Sequence, residues 1–465
     1  MRELIPLVAM SVFLCGCPRR SQYVRPGLPV PPAWPESSAA GVGTPGAPAA
    51  ADLKWQEFFT DQRLQSVIAL ALANNRDLRV AALTIEKVQA LYRIQRAEQY
   101  PTIVASASAD AYRVPRTLSG AADNETVAQF TVGLGTASWE LDLFGRIRSL
   151  KSRALEQYLA TEQARSATQI SLVAAVAGTY LVLAADRENL RLAQVTLDAQ
   201  QATYELILRT SQVGIASDLD VRQAQTQVDA ARVDIARYSG QVALDENALN
   251  LLVGTPVTPG MLSDDLGKVG ALKDVAAGLP SDVLLSRPDI LAAEHQLKAA
   301  YANIGAARAA FFPRISLTAA AGLISSDLTN LVKPAAGTWN FAPRVALPIF
   351  DSGIRRAAYR VAEVDRDVAV AEYEKAIQAA FREVSDALSL RGTLLAQQNA
   401  LQSLVNSLED TYHLSEARYK GGIDSYLGVL VAQRALYAAQ QQLVGVRLAR
   451  LSNLVTLYKV LGGGA

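Results

Sequence analysis

Gly214-Ile215-Ala216-Ser217-Asp218-Leu219-Asp220-Val221, running on to Gly254, decides the fold, because it recurs without a gap as Gly422-Ile423-Asp424-Ser425-Tyr426-Leu427-Gly428-Val429, running on to Gly462. The offset is 422 − 214 = 208, the same as 462 − 254. Identical residues meet under it at Gly214, Ile215, Ser217, Leu219, Val221, Ala224, Gln225, Ala230, Ala231, Leu249 and Gly254. This is a tandem duplication. In the first copy Val221, Ala224, Val228, Ala231, Ile235, Tyr238, Val242, Leu249 and Leu252 fall on alternating three- and four-residue steps, interrupted by Asp245. The second copy repeats the pattern from Val429 to Val460, with polar breaks at Arg450 and Asn453. Such a seam belongs to long helices packed side by side.

Working outward, both copies are preceded by a stretch of long-helix character, Arg146 to about Thr210 and Ile354 to about Lys420, without proline. About 60 residues at 1.5 Å each make a rod of roughly 90 to 100 Å, too long to bury in a compact domain. Earlier still, a helix from about Asp77 to Tyr100 has its own copy at an offset of 289 − 77 = 212, and both copies end at a proline, Pro101 and Pro313. Beyond each proline the period becomes two. Ile103, Ala105, Ala107, Ala109 and Ala111 alternate with small polar residues, and so do Ile315, Leu317, Ala319, Ala321 and Leu323. Phe130, Val132 and Leu134 answer the first strand, and Trp339, Phe341, Val345 and Leu347 the second. The expected fold is mainly α with a membrane β-barrel, having four strands and two long helical hairpins per chain. The first repeat spans residues 52–254, the connector 255–286 and the second repeat 287–465.

The N-terminus reads as an export signal over residues 1–17, closing on Leu14-Cys15-Gly16-Cys17. That ending resembles the bacterial lipobox, which makes Cys17 the lipidation residue. Pro18 in place of the aspartate that retains such proteins at the inner membrane points to the outer membrane. Residues 18–51 are rich in Pro, Ala and Gly and read as an extended tether.

With two Cys, two His (His295 and His413, far apart), 6% aromatic residues and a net charge of +1, the 465-residue chain shows no metal-ligand spacing, no cofactor motif, no nucleophile motif and no basic block. Nucleic-acid binding and enzymatic function have no support. No unbroken apolar run of eighteen residues follows the signal, which argues against a membrane helix. Four strands with open edges cannot cross lipid alone, since membrane barrels need about eight or more. Three copies give about twelve strands and as many rods, a barrel and a tube on one axis.

The chain resembles the TolC-type outer-membrane efflux ducts, in their OprM-like lipoprotein branch. The resemblance is carried by the lipobox, Tyr23-Val24-Arg25-Pro26, Trp139 to Arg146, Gly278 to Asp282, Arg287-Pro288-Asp289-Ile290, Ala306 to Pro313 and Leu457-Tyr458-Lys459. It implies a homotrimeric, lipid-anchored duct with a periplasmic α-barrel, an equatorial belt around residues 255–286, and export of drugs and other small molecules. The implied partners are a periplasmic adaptor (membrane fusion protein), an inner-membrane RND pump and outer-membrane lipid. The chain departs from many relatives by stopping at Gly462-Gly463-Gly464-Ala465, which leaves a C-terminal contribution to the belt open. Two other readings share parts of the pattern: a type I secretion duct of the same architecture, and a structural coiled-coil lipoprotein.

The hairpin tips are the expected docking surface: Gly214, Ile215 and Ser217 in one, Gly422, Ile423, Asp424 and Ser425 in the other. The glycines read as helix C-caps and Ser217 and Ser425 as N-caps of the returning helices. A duct that is shut at rest needs a constriction. Tyr204 with Tyr412 and Leu206 with Leu414 pair under the offset of 208 just above the tips. Around them Glu416, Arg418 and Lys420 replace neutral residues, and Asp218 and Asp220 can form an acidic ring. Leu414 is expected to be the steric plug and Arg418 a latch to a neighbouring carboxylate.

Overall fold

The computed structural model of the chain describes residues 23–34, 53–120, 124–270, 272–273 and 281–463. Cys17, most of the tether and part of the connector lie outside them. The principal elements are α1 (Gln62–Asn74), α2 (Arg76–Ala97), β1 (Val104–Val114), β2 (Glu125–Glu140), α3 (Arg146–Gln212) and α4 (Asp218–Val253). After the connector come α5 (Pro288–Ala309), β3 (Arg314–Ser325), β4 (Gly337–Ala346), α6 (Ile354–Lys420) and α7 (Tyr426–Val460). Both long helices, α3 and α6, contain 67 residues. The duplication therefore holds residue for residue, and each long helix starts directly after a positive-φ glycine, Gly145 or Gly353.

The chain divides into two compact units. One comprises Met1–Gly27, Thr84–Thr161 and Ala292–Tyr373, and carries the sheet. Its strands run antiparallel in the order β1-β2-β3-β4, and register puts residues of like polarity on one face. Ala105 lies opposite Leu134, Leu134 opposite Ala321, and Ala321 opposite Trp339. Ser106 lies opposite Gly133, Gly133 opposite Gly322, and Gly322 opposite Thr338. The two central glycines let backbones approach, since a Cβ on Gly322 would collide with the Val132 carbonyl oxygen. A bulge in β2 shifts the register between Thr136 and Trp139; Ser138 sits there at φ 56° and donates its N–H to Thr318 Oγ1.

The second unit comprises Leu28–Leu83, Glu162–Leu291 and Glu374–Ala465. Its aromatic centre is Tyr458 near the end of α7, stacked on Phe58 at 4.1 Å and donating its hydroxyl to the Leu53 carbonyl at 2.6 Å. Leu64, Val67, Ile68 and Ala71 of α1 are buried, three- and four-residue steps along one amphipathic face. Asn75 ties α1 to α4 by donating to the Leu252 carbonyl, and its Oδ1 caps α2 by accepting from the Leu78 N–H. Leu457, Tyr458, Val460 and Leu461 are all buried, so the last turn of α7 is core.

Two polar residues that look like breaks in the seam are part of it. Asp245 and Asn453, equivalent under the offset of 208, are both buried. Asn453 donates its amide to the Ala387 carbonyl at 2.9 Å. One stretch of α3 reaches a mean hydropathy of 1.7 over eighteen residues, the composition of a membrane helix. Val173, Val176, Ala177, Tyr180, Leu181 and Ala184 along α3 are buried against protein, which accounts for that hydropathy.

Candidate functional site

Three places in the fold have the chemistry of a conduit: the sheet, the hairpin tips and an N-terminal strap. The sheet is covered on neither face in the single chain. Its apolar face leaves Leu134, Trp339, Phe341 and Val345 exposed, and Trp339 keeps 79% of its surface. The opposite face carries Ser106, Thr131, Asn340 and Arg344. Strands of ten to sixteen residues are long enough to cross a hydrocarbon layer at a tilt. An apolar face toward lipid and a polar face toward water is the alternation of a barrel wall, and the outer edges of β1 and β4 are unpaired within this chain.

At the first tip, Gly214 has φ 78°, its N–H bonds the Ser211 carbonyl and the Ile215 N–H bonds the Thr210 carbonyl. At the second, Gly422 has φ 71°, with the same pair of bonds to Tyr419 and Arg418. Both are Schellman closures, which require a residue that tolerates positive φ. The returning helices differ. Ser217 Oγ accepts from the Asp220 N–H and Asp220 accepts from the Ser217 N–H, a complete capping box. Ser425 is at the N-cap of α7 but makes no side-chain cap bond. The residue three places on is Gly428, so no carboxylate can reciprocate. Ser425 thus holds the expected N-cap position, but without the reciprocal bonds that Ser217 makes.

The gate candidates separate into two groups. Tyr204 and Tyr412 pack against a buried cluster of Ile207, Ala224, Tyr426, Val429 and Leu430, between the helices of the chain itself. Leu206 and Leu414 face outward, Leu414 with 66% of its surface open. Lys420 pairs with Glu416 at 2.9 Å along the same helix. Arg418 holds Asp424 of its own turn through two bonds, Nε to Oδ2 at 2.5 Å and Nη2 to Oδ1 at 3.2 Å. The guanidinium keeps the Asp424 carboxyl below the usual carboxylate range. Any contact from Arg418 to a neighbour therefore shares or displaces this partner. Asp220 is engaged in its cap, and Asp218 is exposed.

The sequence pattern does not reveal the strap. Tyr23 and Arg25 reach across to Glu294 on α5, the hydroxyl donating at 2.9 Å and the guanidinium at 3.2 and 2.7 Å. Lys298 adds an ion pair at 3.2 Å. Burial opposes ionisation of Glu294, whose side chain is 3% exposed, but the bonds from Arg25, Tyr23 and Lys298 outweigh it and hold the carboxyl below its ordinary range. A glutamate in an Ala-rich helix gives no signal of a partner 269 residues earlier. Among the described residues no cluster of His, Cys, Asp and Glu could hold a metal.

Comparison with known proteins agrees with this geometry. The profile of the family described as outer membrane efflux protein matches residues 67–255 and 279–463, one match per repeat. The toluene efflux pump outer membrane protein TtgC of Pseudomonas putida is 46% identical over 463 residues, covering 100% of this chain and 96% of the relative. The outer membrane protein OprJ of Pseudomonas aeruginosa is 40% identical over 468 residues, covering 99% and 95%. Among solved structures, a membrane protein from Pseudomonas aeruginosa superposes with a TM-score of 0.90 at 40% identity, covering 96% of this chain and 98% of that one. The open state of the MtrE outer membrane channel of Neisseria gonorrhoeae gives 0.87 at 37%, covering 95% and 97%. A duplicated chain with an amphipathic sheet and two long hairpins, matched over its whole length by outer-membrane channels of efflux pumps, belongs to the outer membrane efflux protein family.

Proposed function

We propose that the chain assembles as a homotrimer into the exit duct of a tripartite efflux pump, carrying drugs and other small molecules to the exterior. The observation that supports this best is the uncovered four-stranded sheet, apolar on one face, polar on the other and open at both edges. Unpaired edges in lipid cost several kcal/mol per group, so the sheet must be closed by other copies. Cys17 carries the lipid anchor in this reading, which the mass of the mature N-terminus reports. The tips dock a periplasmic adaptor that links the duct to an inner-membrane pump of the RND class. A photo-crosslinker at Ala216 or Asp424 then captures the adaptor in cells; capture only from the strand loops would reverse the orientation.

The periplasmic mouth is shut at rest in this proposal, with Leu414 as the plug and Arg418 as a latch. Each substitution acts three times in a trimer. Leu414→Ala with Arg418→Ala is expected to raise single-channel conductance in planar bilayers and to sensitise cells to large antibiotics. Unchanged conductance from a correctly assembled double variant places the constriction elsewhere, and absence of any channel from the unmodified protein overturns the duct itself.

A further inference from the structure

Strand register brings two arginines together on the polar face of the sheet, at the end that adjoins the helices. Arg314 lies opposite Ala346 and Arg344 opposite Ser316, so the two stand diagonally across β3 and β4 on one face. Long side chains at diagonal positions reach each other, and like charges there repel. A carboxylate between them would be the ordinary remedy. Glu140 of β2, opposite Ser316 on its other side, is the acid of that row. Its two oxygens are already held by Arg146, through Nε and Nη2 at 2.8 Å each, and Arg314 adds one contact at 3.2 Å. The Arg314 side chain stays 61% exposed, and Arg344 is exposed with no hydrogen bond or ion pair among the described residues.

The other acids at the foot of the sheet are spent. Asp142 pairs with Arg148 at 3.2 Å and Asp351 with Arg355 at 2.6 Å, while Glu98, which stands near Arg146, accepts from Gln95 at 2.6 Å. The remaining acidic positions of this face, Asp110 and Glu125, belong to the opposite end, toward the turn between β1 and β2. Three guanidiniums, of Arg146, Arg314 and Arg344, therefore meet one carboxylate.

The strands themselves do not require this excess. The offset of 212 sets Arg314 against Thr102. Alignment of Leu347-Pro348-Ile349-Phe350 with Leu141-Asp142-Leu143-Phe144 sets Arg344 against Ser138 and Ala346 against Glu140. A threonine and a serine thus fill the same places in the first repeat, so a charge at either is not a condition of forming the strand. Beside Arg314 opens a cleft of about 330 Å³, lined also by Arg146, Arg355, Phe144 and Phe312. The two rings are stacked at 4.9 Å and offer an apolar wall next to the guanidiniums.

We infer that Arg314 and Arg344 form the anion-binding part of a solute site at the foot of the sheet, which takes the carboxylate, sulfonate or phosphate group of an organic anion passing through the duct. Guanidinium forks match the oxygens of these groups and bind them by charge-assisted hydrogen bonds. A bound anion also relieves the repulsion between the two arginines. The inference rests on the duct reading, because the polar face lines a passage once other copies close the sheet, and three copies then set three such pairs at one level. The field of the pair extends about 10 Å at 0.1 M salt and about 3 Å at 1 M, so it acts on anions that touch the wall.

The probe is pyranine, a pyrene trisulfonate whose fluorescence anisotropy rises when it binds the detergent-solubilised protein. At low salt Arg344→Gln is expected to weaken binding at least about tenfold, Arg344→Glu to abolish it and Arg344→Lys to recover part of it. Assembly and melting temperature stay as they were, since Arg344 holds no partner to lose. Arg222→Gln, which removes an exposed arginine of α4, leaves the affinity unchanged, and 1 M KCl suppresses binding. No binding to the unmodified protein, or an affinity that is the same in Arg344→Gln and Arg344→Glu, overturns the site; so does an equal loss in Arg222→Gln. Conductance of the unmodified protein in planar bilayers reads the duct separately. A conducting channel whose pyranine affinity ignores Arg344 sinks the site and leaves the duct standing, whereas absence of any channel sinks the duct.

Discussion

Arg287→Ala is expected to lower the stability of the protein by about 3 kcal/mol per chain, and the reason is a carbonyl rather than an ion pair. Arg287 Nη1 donates to the Val460 carbonyl at 2.7 Å, at the C-terminal end of α7, in a place where both residues are buried. Its other nitrogens hold Asp289 at 2.7 Å and Glu383 at 3.1 Å. Burial disfavours the charge on Arg287, yet the two carboxylates more than compensate and keep it protonated. Both acids are more than 40% exposed, so water takes over when the guanidinium is removed and their loss counts for little. The Val460 carbonyl has no such substitute. Leaving a buried acceptor bare costs about 1–3 kcal/mol, and the vacated stem leaves a void beside Gly462. Calorimetry of the detergent-solubilised protein separates the contributions. Asp289→Asn should cost about 1 kcal/mol or less, and a loss as large as that of Arg287→Ala would show that the ion pair matters more than the cap.

Asp245→Asn is expected to act in the opposite direction, raising stability at pH 7.5 by about 3 kcal/mol per chain. Asp245 is buried in the seam between α4 and α3, and burial followed by the neighbouring Asp186 pushes its carboxyl up to about 6. Around it stand the Gln241 amide, the Arg187–Glu246 pair at 2.8 Å, and Glu188, which is occupied by the Leu266 N–H and by Arg447. A carboxyl whose folded value lies above its unfolded one, about 3.9, binds its proton more tightly in the fold. Stability is then greatest below about pH 4, declines as pH rises toward 6, and is flat above. The rise from about 3.9 to about 6, at about 1.4 kcal/mol for each pH unit, gives the magnitude. The second repeat shows the remedy, since Asn453 occupies the same position with its amide bonded. Melting temperature measured from about pH 4 to 8 should lose this slope in the variant. A slope that persists in Asp245→Asn, or a variant less stable at pH 7.5, would refute the account.

What can be read from residues alone is whatever the chain repeats or terminates. Gly214 and Gly422 are legible because a Schellman closure needs positive φ, and Pro101 and Pro313 because a helix cannot continue through them. The alternation in β1 to β4 is legible because pleating imposes a period of two. Asp245 and Asn453 read as breaks, since polarity at a seam position does not reveal whether a partner waits on the facing helix. The Arg418–Asp424 pair is not legible, because nothing in a one-dimensional pattern says that the turn brings Asp424 back within reach. The strap from Tyr23 and Arg25 to Glu294 is invisible for the same reason at longer range.

The two offsets, 212 ahead of the strands and 208 after them, also constrain how such a chain can change over generations. Between Pro101 and Gly145 the first half has four more residues than the second has between Pro313 and Gly353, and both halves still deliver helices of 67 residues. A residue gained in α3 would rotate everything beyond it by about 100° and set its hairpin out of step with that of α6. A residue gained in a strand loop disturbs no seam. Insertions and deletions are therefore confined to the loops, and the two long helices can only drift by substitution, locked to a common length.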